Sequence, residues 1–251
     1  MQASVPTSHC LTVRSREPEK SALPSPWKPS ADTAPAWPRS SRTVKQWDVG
    51  TLACMETLFG HQDAVLSLDC WQDARPLTGA ADRSLRVWKV QQSSHLVFRK
   101  HAASADCTAY LTQERFVSGG QDGRLLLWSD SSRNPLAAAS CAHGKEAATD
   151  RWVTSLATLR SSDVFASGSH DGFVRIWGVG ESASAKASKG PACTLQPLLA
   201  LPAPGFVNGL VMRDNLVLAA VGREHRLGRW WSLPYSECKN RLVISRYNLD
   251  V

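Results

Sequence analysis

The phrase "DRSLRVWKV" at residues 82–90 returns as "DGRLLLWSD" at 122–130 and "DGFVRIWGV" at 171–179. Each opens on an aspartate in a turn and closes on a short strand around a tryptophan. In "SLRVWKV", Leu85 and Val87 share one face while Arg86 and Trp88 share the other, as period-two alternation requires. Val174 and Ile176 against Arg175 and Trp177 repeat that arrangement two units later. Working outward, "SRTVKQWDV" at 41–49 and "EHRLGRWWS" at 224–232 carry a similar pattern. Trp47, Trp88, Trp128 and Trp177 are 41, 40 and 49 residues apart, and Trp230 follows after 53. A period near 40 residues built from short strands, with no helical period between them, predicts a repeated antiparallel β unit. The connections at 144–152 and 180–190 are longer, and the second reads as an exposed polar loop.

The rest of the composition sets limits. The chain has 251 residues, 43% hydrophobic and 20% charged, with a formal net charge of +7. A core is affordable, and the basic balance suits an acidic partner without specifying one. Seven scattered cysteines contain no CxxC pair, so neither a disulfide framework nor a zinc site is expected, and a reducing compartment fits. The most apolar stretch, Leu195 to Met212, is broken by prolines and glycines, so no membrane span is expected. Residues 1–40 hold half of the 14 prolines, interleaved with serines, and read as a disordered segment containing Trp27 and Trp37. The repeats occupy 41–251.

His61, Thr78, Asp82 and Trp88 occur in order; His101, Ser118, Asp122 and Trp128 reproduce the spacing. His143, Ser167, Asp171 and Trp177 do so again after a longer connection. The hydroxyl stands four residues before the aspartate, and the tryptophan six after it. Three Ser/Thr-His-Asp sets at matching spacing are architecture and not three hydrolase sites, since geometry defines a triad. Trp offers a donor, Asp only acceptors, and hydroxyl and imidazole both, so four groups can satisfy one another in a buried tetrad. His170 reads as a turn residue. No phosphate loop, paired carboxylates or metal-ligand spacing appears, so no catalytic residues, metal or cofactor are expected.

With "GH" at Gly60–His61 and "WD" at Trp47–Asp48, these units resemble the WD40 repeat family. The resemblance implies an all-β propeller in which each His, Ser/Thr, Asp and Trp set is such a tetrad. Only about four blades and part of another are encoded, so the propeller is expected to be incomplete. By tetrad spacing, the last unit has Ala220 in the hydroxyl place and Glu224 in the aspartate place before Trp230. Around it Arg223, His225, Arg226 and Arg229 crowd one turn and strand, and mutual repulsion there invites an anion or a carboxylate partner.

The words "VGREHRLGRWW", "ETLFGHQDAVLSLD" (56–69), "SSHLVF" (93–98) and "GFVNGL" (205–210) resemble the U3 small nucleolar RNA-associated WD40 group, the ribosomal RNA-processing protein 9 group, over about residues 41–245. That resemblance implies a non-enzymatic scaffold that binds U3 RNA and core proteins of its ribonucleoprotein, in early pre-ribosomal RNA processing in the nucleolus of the nucleus. Arg223, His225, Arg226 and Arg229 become candidate RNA contacts, with Arg83 and Arg86 behind them; Arg86 has the alternative role of covering the blade with its stem. The group's early blades and charged N-terminal extension have no counterpart here, which points to a truncated form. Leaving ~500 Å² of apolar blade face open forgoes ~12 kcal/mol, comparable to a domain's whole stability. Self-association or completion by another chain is therefore expected. The competing readings are a generic WD40 adaptor without RNA binding and a fragment of impaired function.

Overall fold

The computed structural model describes residues 42–48, 51–71, 75–146, 149–181, 193–226, 228–233 and 238–248; side chains of 229–232 fall outside that set. The proline-serine segment 1–40 and most of the loop at 180–190 also lie outside it. Almost every described element is a strand, the exception being the 3-10 turn Val90–Gln92. No described helix is long and apolar enough to cross a membrane.

The strands form an arc of propeller blades. A half-blade comes first, with β1 (Val44–Trp47) paired to β2 (Cys54–Leu58). Blade I is the antiparallel meander β3 (Val65–Trp71), β4 (Arg75–Ala80), β5 (Leu85–Lys89) and β6 (Ser94–Phe98). Blade II repeats it with β7 (Ala105–Tyr110), β8 (Arg115–Gly120), β9 (Leu125–Ser129) and β10 (Ser132–Ala139). The long connection after blade II folds into a small hairpin, β11 (Lys145–Glu146) with β12 (Thr149–Asp150). Blade III is β13 (Ser155–Thr158), β14 (Val164–Gly168), β15 (Phe173–Glu181) and β16 (Cys193–Pro202).

Blade IV departs from the sequence reading. Its first two strands are β17 (Phe206–Arg213) and β18 (Leu216–Gly222), but "EHRLGRWW" is not the third. That phrase forms a separate hairpin, β19 (Glu224–His225) with β20 (Gly228–Ser232), while β21 (Arg241–Arg246) pairs with β18. Register corrects the tetrad spacing as well. Leu68 faces Thr78, Thr108 faces Ser118 and Leu156 faces Ser167; the equivalent residue of blade IV, Leu210, faces Ala219 and not Ala220. A one-residue slip in a strand exchanges its two faces, so Ala219 is the buried one, at 2% exposure.

Burial follows the repeat. The forward faces of blades I to III, including Leu77, Leu85 and Val87, then Val117, Leu125 and Leu127, then Ala166, Val174 and Ile176, are sealed against the following blade. Val44 and Leu58 of the half-blade pack in the same way on Val65 and Trp88. On blade IV the corresponding residues Leu242 and Ile244 are 62% and 63% exposed, with Val211 beside them at 57%. Among the described residues, no core cluster joins blade IV to the half-blade. Among the described residues the propeller is an open arc.

Candidate nucleic-acid interface

Three buried tetrads set the loops. In blade I, Trp88 Nε1 donates to Thr78 Oγ1 at 3.0 Å, His61 Nε2 lies 2.7 Å from that hydroxyl, and His61 Nδ1 is 3.0 Å from Asp82 Oδ2. Blade II has Trp128 to Ser118 at 2.8 Å, Ser118 to His101 Nε2 at 2.8 Å, and His101 Nδ1 to Asp122 at 3.1 Å. Blade III gives 2.8, 2.8 and 2.9 Å for Trp177, Ser167, His143 and Asp171. With a neutral histidine, one proton order satisfies each chain: indole to hydroxyl, hydroxyl to Nε2, Nδ1–H to carboxylate. Burial alone would raise the Asp122 and Asp171 carboxyls; the histidine hydrogen bond and backbone N–H donors outweigh it, and both lie below the usual range. Asp82 is also depressed against its burial, chiefly by Ser84 and the Gln62 N–H. Thr78, Ser118 and Ser167 are fully buried.

Because a blade's strands alternate in direction, the connections after its second and fourth strands gather at one end of the arc. Exposed cations are concentrated there: Arg83 and Arg124 after second strands, Arg99 and Lys100 before His101, and Arg223 after β18. Among the described residues none of these five has an ion pair. Carboxylates at this end are largely engaged, in the tetrads or with Lys145 and Arg151. At the opposite end Arg75, Arg115, Arg160 and Arg213 each lie within 4 Å of a carboxylate, and Arg133 and Arg246 stand outside that pattern. One end of the molecule therefore carries most of the uncompensated positive charge.

The crowded turn of blade IV divides into distinct roles. Arg223 is exposed, and its N–H donates to Asn240 Oδ1 at 3.2 Å. Arg226 is held through its N–H to Asn208 Oδ1 (2.9 Å), while Asn208 Nδ2 donates to Glu224 O (2.8 Å). The Arg226 guanidinium crosses the inner rim and donates to the carbonyls of Leu66 and Asp106, on the first strands of blades I and II. It thereby ties the last blade to the first two, its guanidinium engaged with main-chain carbonyls although the residue as a whole stays exposed. Burial raises the Asp106 carboxyl, with the Ser104 hydroxyl and the Arg226 charge opposing.

Two candidates move inside. His225 is 4% exposed, edge-on to Trp152 and Phe206, and burial pushes its pKa down to about 4, with help from Arg226 and His170. Arg86 is 5% exposed; it donates to Gly60 O at 2.7 Å and to His95 Nε2, and lies over the Trp88 ring. A Cβ at Gly60 would come within 2.5 Å of Arg86 Nη1, so glycine permits this seat. Neither side chain reaches solvent enough to meet a phosphate, which corrects their candidacy. Arg83 sits in a positive-φ turn with its side chain exposed. Arg229 lies on β20, and its side chain is outside the described residues. Sequence reasoning missed Asn208 and Asp106; the only hint was the "GFVNGL" phrase.

The WD domain, G-beta repeat model matches residues 52–89 and 139–178, which span parts of the half-blade, blade I and blade III. The chain carries WD40 repeats at these positions. WD40 relatives with a common theme in their names are similar to it. U3 snoRNP-associated protein-like EMB2271 of Arabidopsis thaliana is 34% identical over 203 residues, 76% of this chain and 40% of its own length. U3 small nucleolar RNA-interacting protein 2 of Mus musculus is 40% identical over 159 residues, covering 61% of this chain and 31% of that protein. The solved structure of U3-55K superposes with a TM-score of 0.73 at 38% identity, over 82% of this chain and 62% of that one. The chain thus spans less than half the length of these curated WD40 relatives.

Proposed function

We propose that this chain is a non-enzymatic subunit of the U3 small nucleolar ribonucleoprotein. In this reading it contacts U3 RNA and core proteins of that particle during pre-ribosomal RNA processing in the nucleolus. The uneven charge of its two ends carries the proposal: Arg83, Arg99, Lys100, Arg124 and Arg223 form one exposed basic end on a rigid scaffold. Phosphate contacts by such side chains position an RNA, and Arg229 joins the set from its place in the sequence. Arg226 serves as a tie between blades that fixes where the others stand. Protein partners meet the open face of blade IV. The relatives named for U3 association support the choice of RNA.

The test is ultraviolet crosslinking of the chain in nuclei, followed by sequencing of the recovered RNA. Enrichment of U3 over other small nucleolar RNAs is expected. Recovery of proteins with no RNA enrichment would instead favour the adaptor reading.

A further inference from the structure

The half-blade holds an unfinished tetrad. Its β1 and β2 correspond to the third and fourth strands of a blade, since Val44–Leu58 pairs and packs as Leu85–Phe98 does in blade I. Trp47 then stands where Trp88, Trp128 and Trp177 stand. Each of those donates its indole N–H to a Ser or Thr on the second strand of its own blade. Trp47 Nε1 is buried and has no acceptor, and the edge of β1 away from β2 carries no strand among the described residues. A buried donor without a partner bears its full desolvation penalty, and an open strand edge is a template for pairing.

The three complete blades specify what would fit. In each, the hydroxyl residue lies across from the residue two before the tryptophan: Thr78 across from Arg86, Ser118 from Leu126, Ser167 from Arg175. For Trp47 that residue is Lys45. The chain's own preceding sequence does not carry the tetrad residues at the required spacing. Ten residues before Trp47, the hydroxyl place, stands Trp37; six before, the aspartate place, stands Ser41; and Pro35 and Pro38 flank the position. Proline cannot donate to a strand ladder.

We propose that the free edge of β1 accepts an extended strand from another polypeptide, antiparallel to β1, with a Ser or Thr opposite Lys45 whose hydroxyl takes the Trp47 N–H. This is β-augmentation, with main-chain pairing giving affinity and the hydroxyl giving register. It needs no nucleic acid and is independent of the RNA reading.

A fluorescent synthetic peptide of residues 60–83, which carries the first two strands of blade I and Thr78, is a suitable probe, titrated against the full 251-residue chain. Saturable binding is expected, about tenfold weaker for the peptide with Thr78→Ala and about tenfold weaker for the chain with Trp47→Phe. The two losses should not add, because both remove the same hydrogen bond. Trp47→Phe should leave the melting temperature of the unliganded chain unchanged, which separates lost binding from lost folding. Absence of saturable binding, binding indifferent to the hydroxyl, or a homodimer that pairs β1 without peptide would each overturn the proposal.

Discussion

Trp128 and Trp47 are the same residue type at equivalent strand positions, and their environments predict opposite outcomes for one substitution. Trp128 is fully buried and donates to Ser118 inside a satisfied tetrad. Trp128→Phe should destabilise the chain by about 2–3 kcal/mol, combining a lost hydrogen bond, an orphaned hydroxyl and a cavity. Trp47→Phe removes a donor that has no acceptor, and the relieved desolvation penalty offsets the packing lost with the smaller ring, so thermal melting should show little change. His225 supplies the pH dependence. Its folded pKa of about 4 is below the usual 6.5, so the unfolded chain binds the extra proton between those values. Its contribution is complete above pH 6.5 and is lost as pH falls towards 4, by about 3 kcal/mol in all. In His225→Phe, melting temperature should fall less steeply across that window than in the parent chain.

At the scale of elements, the repeat was legible and its last member was not. Trp88, Trp128 and Trp177 announce third strands because each has a strand partner and a hydroxyl at fixed distance, and Asp82, Asp122 and Asp171 close the turns before them. "EHRLGRWW" imitates that local wording. Strand choice, however, is decided by pairing with β18, and the alternating "RLVISR" at 241–246 wins that place. A local phrase contains no information on which strand occupies an edge. The same limit hid Asn208, whose importance arises only because β17 starts beside the β19–β20 hairpin. Asn208→Ala should cost about 1–2 kcal/mol, since two hydrogen bonds holding Glu224 and Arg226 are lost. RNA binding should weaken with it, because Arg226 no longer fixes the basic end. Inward and outward arginines were likewise indistinguishable in the sequence: Arg83 and Arg86 are three residues apart, and only the fold buries the second.

For the whole molecule, incompleteness was expected from the number of repeats, and its geometry appears in the exposed row Val211, Leu242 and Ile244. Replacing Leu242 and Ile244 with lysine should reduce concentration-dependent light scattering while leaving the melting temperature nearly unchanged, because both side chains are already more than 60% exposed. The claim on which the functional account rests is that one end of this arc meets RNA phosphates. Titration of U3 RNA binding across a salt series, for the parent chain and for Arg83→Ala, Arg124→Ala, Arg223→Ala combined, tests it directly. The account predicts a steep loss of affinity with salt in the parent and a slope shallower by about two to three units in the triple variant. Equal slopes, with affinity unaltered by the three substitutions, would contradict it.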